Sequence, residues 1–416
     1  MKNTRCTLAA TAAILLASPL SAQITGSVRG IAVDPADAVI TQGTATIRSV
    51  ESNTTREPQS LSKGGFAFDL LPTGSYEVRI EAAGFRSAVS AVEVRAGEVP
   101  NLRMQLTVGS TAETITVTDA VTPLDTENSQ IQLSFSGQRI QEIPVARDPN
   151  KFALAAGGVA PVTSNNPFLG SGSFNVNGMR GRGNNITIDG ITSTDVSVTG
   201  TGGPLNPLNF SSIKEVKVIT NNFNAEYGRN VGSQVIYLTK SGTNRIHGEA
   251  YEYFRNNVLN ARPFFDDSGK AALVRRNQYG FEVGGPVKIP GYNGVNKTFW
   301  HTDWEQLKRR GASAPVVANV PTPTMVAQVT DPTSKAILAQ YQLPTDPSGQ
   351  KRFQAGDTED LTLFSFRADH HFSANDVMWA RFANFQPEFH RPVGIRRCGC
   401  RPVRQFRIGQ AFVQRQ

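Results

Sequence analysis

The sequence predicts a mainly β protein, and three features carry that expectation. Short segments alternating apolar with polar residues recur between turns through the first hundred residues. Glycine and proline are abundant (37 and 24 of 416 residues) while only 18% of residues are charged, which favours turns over long helices. In the second half, segments of about ten residues alternate aromatic with polar side chains, as a strand does with lipid on one face.

The charge distribution narrows the function classes. The net charge of +8 suggests nucleic-acid binding until it is located. Residues 391–416 carry seven Arg and no acid, and Lys2 and Arg5 sit at the other end; without these, residues 6–390 have a net charge of −1. A basic nucleic-acid-binding body is therefore disfavoured, and no nucleic-acid partner is expected. Cys6, Cys398 and Cys400 leave residues 23–397 without cysteine, so neither a disulfide framework nor a Cys-ligated metal site is expected there. The five His form no H-E-x-x-H motif, and neither a phosphate-loop motif nor a nucleophile elbow is present. No catalytic residue, no metal ligand and no cofactor is assigned.

Residues 1–22 place Lys2 and Arg5 before an apolar run from Leu8 to Ala17, followed by Ser21 and Ala22. This is the pattern of a secretory signal peptide, too short for a stable membrane anchor. No later stretch approaches 18 consecutive apolar residues, a test to which β-barrel strands are invisible.

Residues 23–107 read as a β-sandwich of about seven strands. Ser27–Val33, Thr44–Val50, Gly65–Phe68, Tyr76–Ala82 and Ala91–Arg95 are separated by Asp34-Pro35, Lys63-Gly64-Gly65, Pro72-Thr73-Gly74 and Ala83-Gly84-Phe85. Val78 and Ile80 alternate with Glu77, Arg79 and Glu81, so one face is buried and the other wet. Tyr76 and Phe85 read as core. The stretches 64–68, 71–78 and 83–85 resemble the carboxypeptidase regulatory-like domain, which implies a prealbumin-like sandwich. Asp34–Ile40 departs from that family's Gly-containing turn, and the zinc ligands of the associated peptidases are absent.

Glu113-Thr114-Ile115-Thr116-Val117-Thr118 is an extended β-branched hexamer. It suits addition to another protein's sheet edge, or equally a last strand of the preceding sandwich. The hexamer resembles the TonB box of energy-coupled outer-membrane transporters. Farther on, Phe174–Asn185 leads through Asn177-Gly178, Arg180-Gly181 and a glycine-dense turn into Ile186–Asp189-Gly190, which reads as a tight hairpin. Ser212–Ile219 alternates, and Glu226-Tyr227-Gly228-Arg229 precedes Thr239–Asn244. These blocks resemble the plug of TonB-dependent receptors, and the 226–248 pattern is similar to their Oar-like subgroup, with Gly232-Ser233-Gln234 where that subgroup has a glycine run. The resemblance implies a mixed α/β plug domain. In such a plug Arg180, Glu226 and Arg229 are expected to hold it within a barrel wall by charge-assisted hydrogen bonds.

His247–Phe254, Gln278–Gly284, Thr298–Leu307, Leu361–Phe372 and Val377–Phe385 read as barrel strands. Phe364, Phe366, Ala368 and Phe372 share one face, and Ser365, Arg367, Asp369 and His371 the other. His370 and His371 point oppositely and cannot both ligate one metal. Tyr251, Tyr253, Trp300, Trp304 and Trp379 suit interface belts, and residues 312–356 suit an extracellular loop. The resemblance implies a barrel of about 22 strands, whereas the residues after Arg245 give room for about eight. The chain thus reads as a truncated receptor, incomplete in its barrel, with residues 391–416 an Arg-rich extension that reads as out of frame or otherwise unrelated, a basic tail for an acidic partner being the alternative.

The expected order is signal peptide (1–22), carboxypeptidase regulatory-like sandwich (23–107), TonB-box-like segment and plug (108–240), first strands of an incomplete outer-membrane β-barrel (241–390) and tail (391–416). The resemblance implies an exported, outer-membrane, non-enzymatic receptor. Its partners would be TonB, outer-membrane lipid and an extracellular solute such as a glycan or peptide. A carbohydrate-binding or adhesion module built on the sandwich is the other reading.

Overall fold

The structure is a computed structural model. It describes residues 25–109, 114–117, 129–143, 147–161, 174–194, 208–261, 273–312, 316–339, 349–353, 356–374, 376–390 and 408–414. The expected leader, Glu113, Thr118, Cys398 and Cys400 lie outside these residues.

The alternating N-terminal segments form two packed sheets. β1 (Gly26–Val33), β4 (Gly65–Leu71) and β7 (Asn101–Gln105) make one, in the order β4-β1-β7. β2 (Thr44–Ser49), β3 (Gln59–Ser60), β5 (Gly74–Glu81), β6 (Ser87–Val94) and β8 (Thr114–Val117) make the other, in the order β3-β2-β5-β6-β8. Val28, Ile47, Phe68, Val78, Ile80 and Met104 fill the space between them. Tyr76 is in this core, its hydroxyl donating to the Pro72 carbonyl at 2.8 Å, and Phe85 packs against it. The Asp34–Ile40 turn uses a carboxylate in place of glycine: Asp34 Oδ1 accepts from Ala36 N and Ala38 N at 2.9 and 2.8 Å. Of the two placements open to the hexamer, the structure shows its central four residues as the terminal strand of the sandwich, parallel to β6.

The plug region is a five-stranded sheet in the order β13-β12-β15-β14-β9, built from β9 (Ile131–Ser136), β12 (Asn185–Ile188), β13 (Ile191–Thr192), β14 (Ile213–Asn221) and β15 (Gln234–Thr239). A short helix, Gln138–Glu142, follows β9. The expected hairpin between residues 174 and 190 does not form. β11 (Phe174–Val176) pairs instead with β10 (Val159–Pro161), and β12 pairs in parallel with β15. The glycine-dense turn connects two separate ladders, and Asp189-Gly190 closes the small hairpin β12–β13 with φ of 49° and 83°, as a two-residue primed turn requires. Asn177-Gly178 turns likewise, at 49° and 79°. Ser233 and Gln234, where the Oar-like pattern has glycine, are buried. Ser233 Oγ donates to Asn184 Oδ1 at 2.9 Å, and Gln234 pairs with Asn185 and Thr187 at 3.0 and 3.1 Å, a side-chain ladder that glycines could not make.

Beyond Arg245 the chain is an antiparallel meander. β16 (His247–Asn256), β17 (Val274–Pro286), β20 (Thr298–Ala312), β23 (Gly356–His371), β24 (Val377–His390) and β25 (Ile408–Gln414) are adjacent in that order. β18 (Lys288–Ile289) and β19 (Tyr292–Asn293) pair in the β17–β20 connection. The long 312–356 segment contains the paired strands β21 (Val316–Asn319) and β22 (Gln350–Phe353) and two short helices, Pro323–Ala327 and Pro332–Leu338. Part of the tail joins the sheet, since Ile408–Gln414 pairs with Val377–Ala383. Phe281, Phe364, Phe366 and Phe372 lie exposed on one face of this wall, while His301, Asp303, Arg367 and Asp369 are buried on the other.

β14 joins sandwich to plug. Its Val216 and Val218 enter the plug core, and Glu215, Lys217 and Ile219 face the opposite way. That face is covered rather than wet, because the sandwich sits on it. The Ala96 peptide is held from both ends: its N–H donates to Glu215 Oε1 at 3.1 Å and its carbonyl accepts from Lys217 Nζ at 2.6 Å. Ala96 packs with Ile219, Ile236 and Leu238. At Gly97, which has a φ of 62°, a Cβ would lie 2.9 Å from Lys217 Nζ. Lys214 Nζ adds bonds to Glu51 and to the Thr73 carbonyl at 2.9 and 2.7 Å. Burial, and to a smaller extent Glu98, push Glu215 up to about 7, opposed by the Ala96 N–H, Lys217 and Lys214.

Glu215 makes docking pH-dependent. A carboxyl whose folded value lies above its ordinary 4.5 contributes stability that is complete below 4.5 and lost as pH rises through about 7. The sandwich is therefore expected to be more protease-resistant and to melt higher at pH 5 than at pH 8, and Glu215→Gln to flatten that slope. Equal slopes in the two proteins would exclude Glu215 as its source.

Candidate functional site: the plug–wall interface

The two-residue turn at Asp189-Gly190 lifts Asp189 out of the plug sheet with a positive φ and aims its carboxylate at the wall. Within the plug, Asp189 accepts from Thr239 N at 2.8 Å and from Thr239 Oγ1 at 2.9 Å. From the wall, Arg367 Nη1 on β23 and Arg381 Nε on β24 each approach it to 3.2 Å. The Arg367 side chain is 8% exposed and that of Asp189 3%. Arg367 also binds Asp369 with Nε and Nη2, at 3.0 and 2.8 Å, and Asp369 accepts from Ser241 Oγ, two residues after β15, at 2.7 Å. Two carboxylates and two guanidiniums thus neutralise one another across the interface. The register explains the convergence, because Arg367 of β23 stands opposite Arg381 of β24 and opposite His301 of β20, all on the inward face.

A second contact uses Lys240, whose Nζ donates to Glu282 Oε1 of β17 at 2.6 Å; His301 Nε2 lies 3.5 Å from the same carboxylate. A third centres on Arg147 of the plug. Its guanidinium lies 4.8, 4.6 and 4.1 Å from the ring centroids of Phe210, Tyr251 and Tyr253, and it donates to Ser211 Oγ at 2.8 Å. Tyr251 in turn donates to Glu305 at 2.9 Å, as does Gln278 at 2.9 Å.

Several expectations change here. Tyr251 and Tyr253 serve Arg147 at the plug and not a lipid belt. Trp379 is also inward and buried, its ring centroid 5.2 Å from the Arg367 guanidinium carbon. It shares strand parity with Arg381, whereas Met378, Ala380 and Phe382 take the opposite face. Trp300 and Trp304 do lie on the aromatic face, Trp304 stacking on Phe281 at 6.1 Å. Arg180, Glu226 and Arg229 are exposed. Among the described residues the charged plug-to-wall contacts are made by Asp189, Lys240 and Arg147 instead.

The other motif residues shape the plug. Asn177 Nδ2 donates to the Thr220 carbonyl at 3.0 Å, Gly178 and Gly190 supply left-handed turn positions, and the buried Gly181 opens a short helical turn. Gly228 accepts from Asn185 Nδ2 at 3.3 Å, and Tyr227 packs beside the Ala96 contact. Arg147 carries no sequence signal, since neither alternation nor motif marks it.

Between sandwich, plug and wall lies a cavity of about 90 Å³ bordered by Glu51, Tyr76, Asp189, Lys214, Arg367 and His371. His371 faces it while His370 bonds Thr298 at 2.6 Å on the other side of β23, so the two imidazoles diverge.

Removing one member of a buried charge network strands its partners at a cost of about 3–5 kcal/mol. Asp189→Asn is therefore expected to lower the unfolding free energy of the plug, obtained from its urea midpoint and slope, by an amount in that range and to shift the emission of Trp379. An unchanged midpoint would show that water replaces the carboxylate without loss.

Three family models match successive stretches of the chain. The carboxypeptidase regulatory-like domain covers residues 27–107, the TonB-dependent receptor plug domain residues 125–233, and an outer membrane beta barrel domain residues 238–328. The TonB-dependent transporter Oar of Myxococcus xanthus is 23% identical over 238 residues, which are 54% of this chain and 22% of that protein. Among solved structures, the siderophore receptor PirA from Acinetobacter baumannii aligns at 15% identity and a TM-score of 0.40, over 62% of this chain and 32% of its own. A mutant of the ferric enterobactin receptor PfeA from Pseudomonas aeruginosa, in complex with enterobactin, aligns at 12% and 0.40, over 64% and 34%. The chain spans about a fifth of the Oar relative and a third of these receptors. Its domains are those of an outer-membrane protein, and their order, together with the Oar relative, supports a TonB-dependent receptor of the Oar-like type.

Proposed function

We propose that the chain provides the periplasmic sandwich, the plug and the first wall strands of a receptor that takes up an extracellular solute by TonB-coupled transport. In this reading the sandwich spans residues 23–107, the plug region 108–240 and the wall 241–390, and Glu113–Thr118 is the segment that TonB engages. The observation that carries it is a plug sheet seated through Asp189, Lys240 and Arg147 on the polar face of a strand meander whose other face is aromatic. Lipid requires such a face, and a movable plug requires polar contacts that can be exchanged for water. Asn177, Gly178, Gly181 and Gly190 fix the plug's turns, and Asp189 holds it closed; Arg180, Glu226, Tyr227, Gly228 and Arg229 belong to plug loops. Catalysis has no part in this reading, and the solute's class is open between glycan, peptide and other large solutes.

Deletion of Glu113–Thr118 in the full chain is expected to abolish binding of the purified periplasmic domain of TonB, measured by surface plasmon resonance. It should leave the melting temperature of the plug within about 2 °C, because a short terminal strand of the sandwich contributes little to the stability of the plug. Undiminished binding by the deletion variant would reject this assignment.

A further inference from the structure

The four residues Thr114–Val117 form β8, paired in parallel with β6 as Ser87↔Thr114, Ala88↔Ile115, Val89↔Thr116 and Ser90↔Val117. β6 is paired on its other side with β5 from Gly74↔Val94 to Ile80↔Ala88. β8 is therefore the terminal strand of the β3-β2-β5-β6-β8 sheet, and among the described residues nothing pairs with its far side. A strand in this position still offers every second backbone N–H and carbonyl of its open edge.

We infer that the sandwich presents this segment to the energy-coupling partner. β8 stays docked on β6, and an extended strand of the partner adds to its free edge, prolonging the sandwich sheet. The inference rests on the proposed function above, which assigns Glu113–Thr118 to that partner but leaves its bound form open.

Two physical arguments favour presentation over release. An isolated segment must be ordered when it binds, and fixing a backbone residue costs about 1–2 kcal/mol each. On β6 the segment is already extended, so the partner binds a prepared edge. A released segment would also leave the β6 edge open, with its unpaired N–H and carbonyl groups beside the partner's own strand. In the docked form both ladders are kept. The sandwich is in turn held on β14 by Glu215 and Lys217 around Ala96, so the presented edge has a fixed position relative to the plug.

A disulfide tests this in the full chain. Val89 and Thr116 are paired Cα positions on adjacent strands, a separation that a disulfide spans, and Val89 is only half-buried. Val89→Cys with Thr116→Cys is made in a background in which Cys6, Cys398 and Cys400 are Ser. Binding of the periplasmic domain of TonB is then measured for oxidised and reduced protein. The oxidised form is expected to bind as tightly as the reduced form or up to about tenfold tighter, since locking removes undocked conformers. Oxidised protein that binds tenfold or more weakly, or cysteines that do not cross-link, would overturn presentation while leaving the transport reading intact. Absence of binding in both the reduced variant and the unmodified chain would instead overturn the assignment of residues 113–118, and presentation with it.

Discussion

The carboxylate of Asp189 has no stable situation except the one it occupies. Taken from water into a protein interior, an ionised carboxylate loses several kcal/mol of hydration that only close partners restore. Thr239 supplies part of this within the plug, and Arg367 and Arg381 supply the rest from the wall. The dependence is mutual, because Arg367 and Arg381 stand side by side on neighbouring strands and need Asp189 and Asp369 between them. Neither surface is electrostatically complete alone. Buried ion pairs of this kind add little net stability over apolar packing, but they penalise every misplaced arrangement, so they determine where the plug sits. Apolar packing could hold the plug as firmly, but its contacts could not be exchanged for water as these polar ones can.

The sandwich is attached by different means. The hold on Ala96 involves one peptide, with a buried acid at its N–H and a buried amine at its carbonyl. An arrangement this small is sensitive to the protonation of one carboxyl, because burial raises Glu215 to about 7. The plug–wall network joins charges directly to one another, whereas Glu215 and Lys217 both bind the neutral Ala96 peptide. The two joints of the molecule therefore answer to different conditions, the first to competition by water and the second to pH as well.

Period-two alternation made the sandwich, β14 and the wall strands legible from the sequence, since it reports which residues share a face. It does not report what covers that face. Glu215 and Lys217 alternate with valines as solvent-facing residues would, yet they lie under the sandwich. Long-range pairing was hidden for the same reason: β12 finds its parallel partner in β15, with β13 and β14 intervening in sequence, whereas the nearby β11 offered a simpler hairpin. The tyrosines of β16 were misplaced by residue type, because an aromatic ring suits lipid and a guanidinium equally well. Trp379 was legible by parity with Arg381. Among the described motif charges only Asp189 sits at the interface; Arg180, Glu226 and Arg229 share the plug's motif blocks but are exposed.

The geometry of the plug sheet orders the events that a pull would cause. Load applied at β8 has two routes into the plug, along the chain into β9 and through β6 and Ala96 into β14. β9 and β14 are neighbours at one edge of the β13-β12-β15-β14-β9 sheet, so both routes arrive on the same side. The Arg147 contact is on that side, next to β9 in sequence and bonded to Ser211 just before β14. Asp189 is on the far side, at the β12–β13 turn, and Thr239 closes β15 beside it. An edge strand separates one ladder at a time, whereas shearing a whole sheet requires every ladder to yield together. If the proposed coupling acts on β8, a pull from the β9 edge would reach the Arg147 contact before the Asp189 network, which lies on the other side of the sheet.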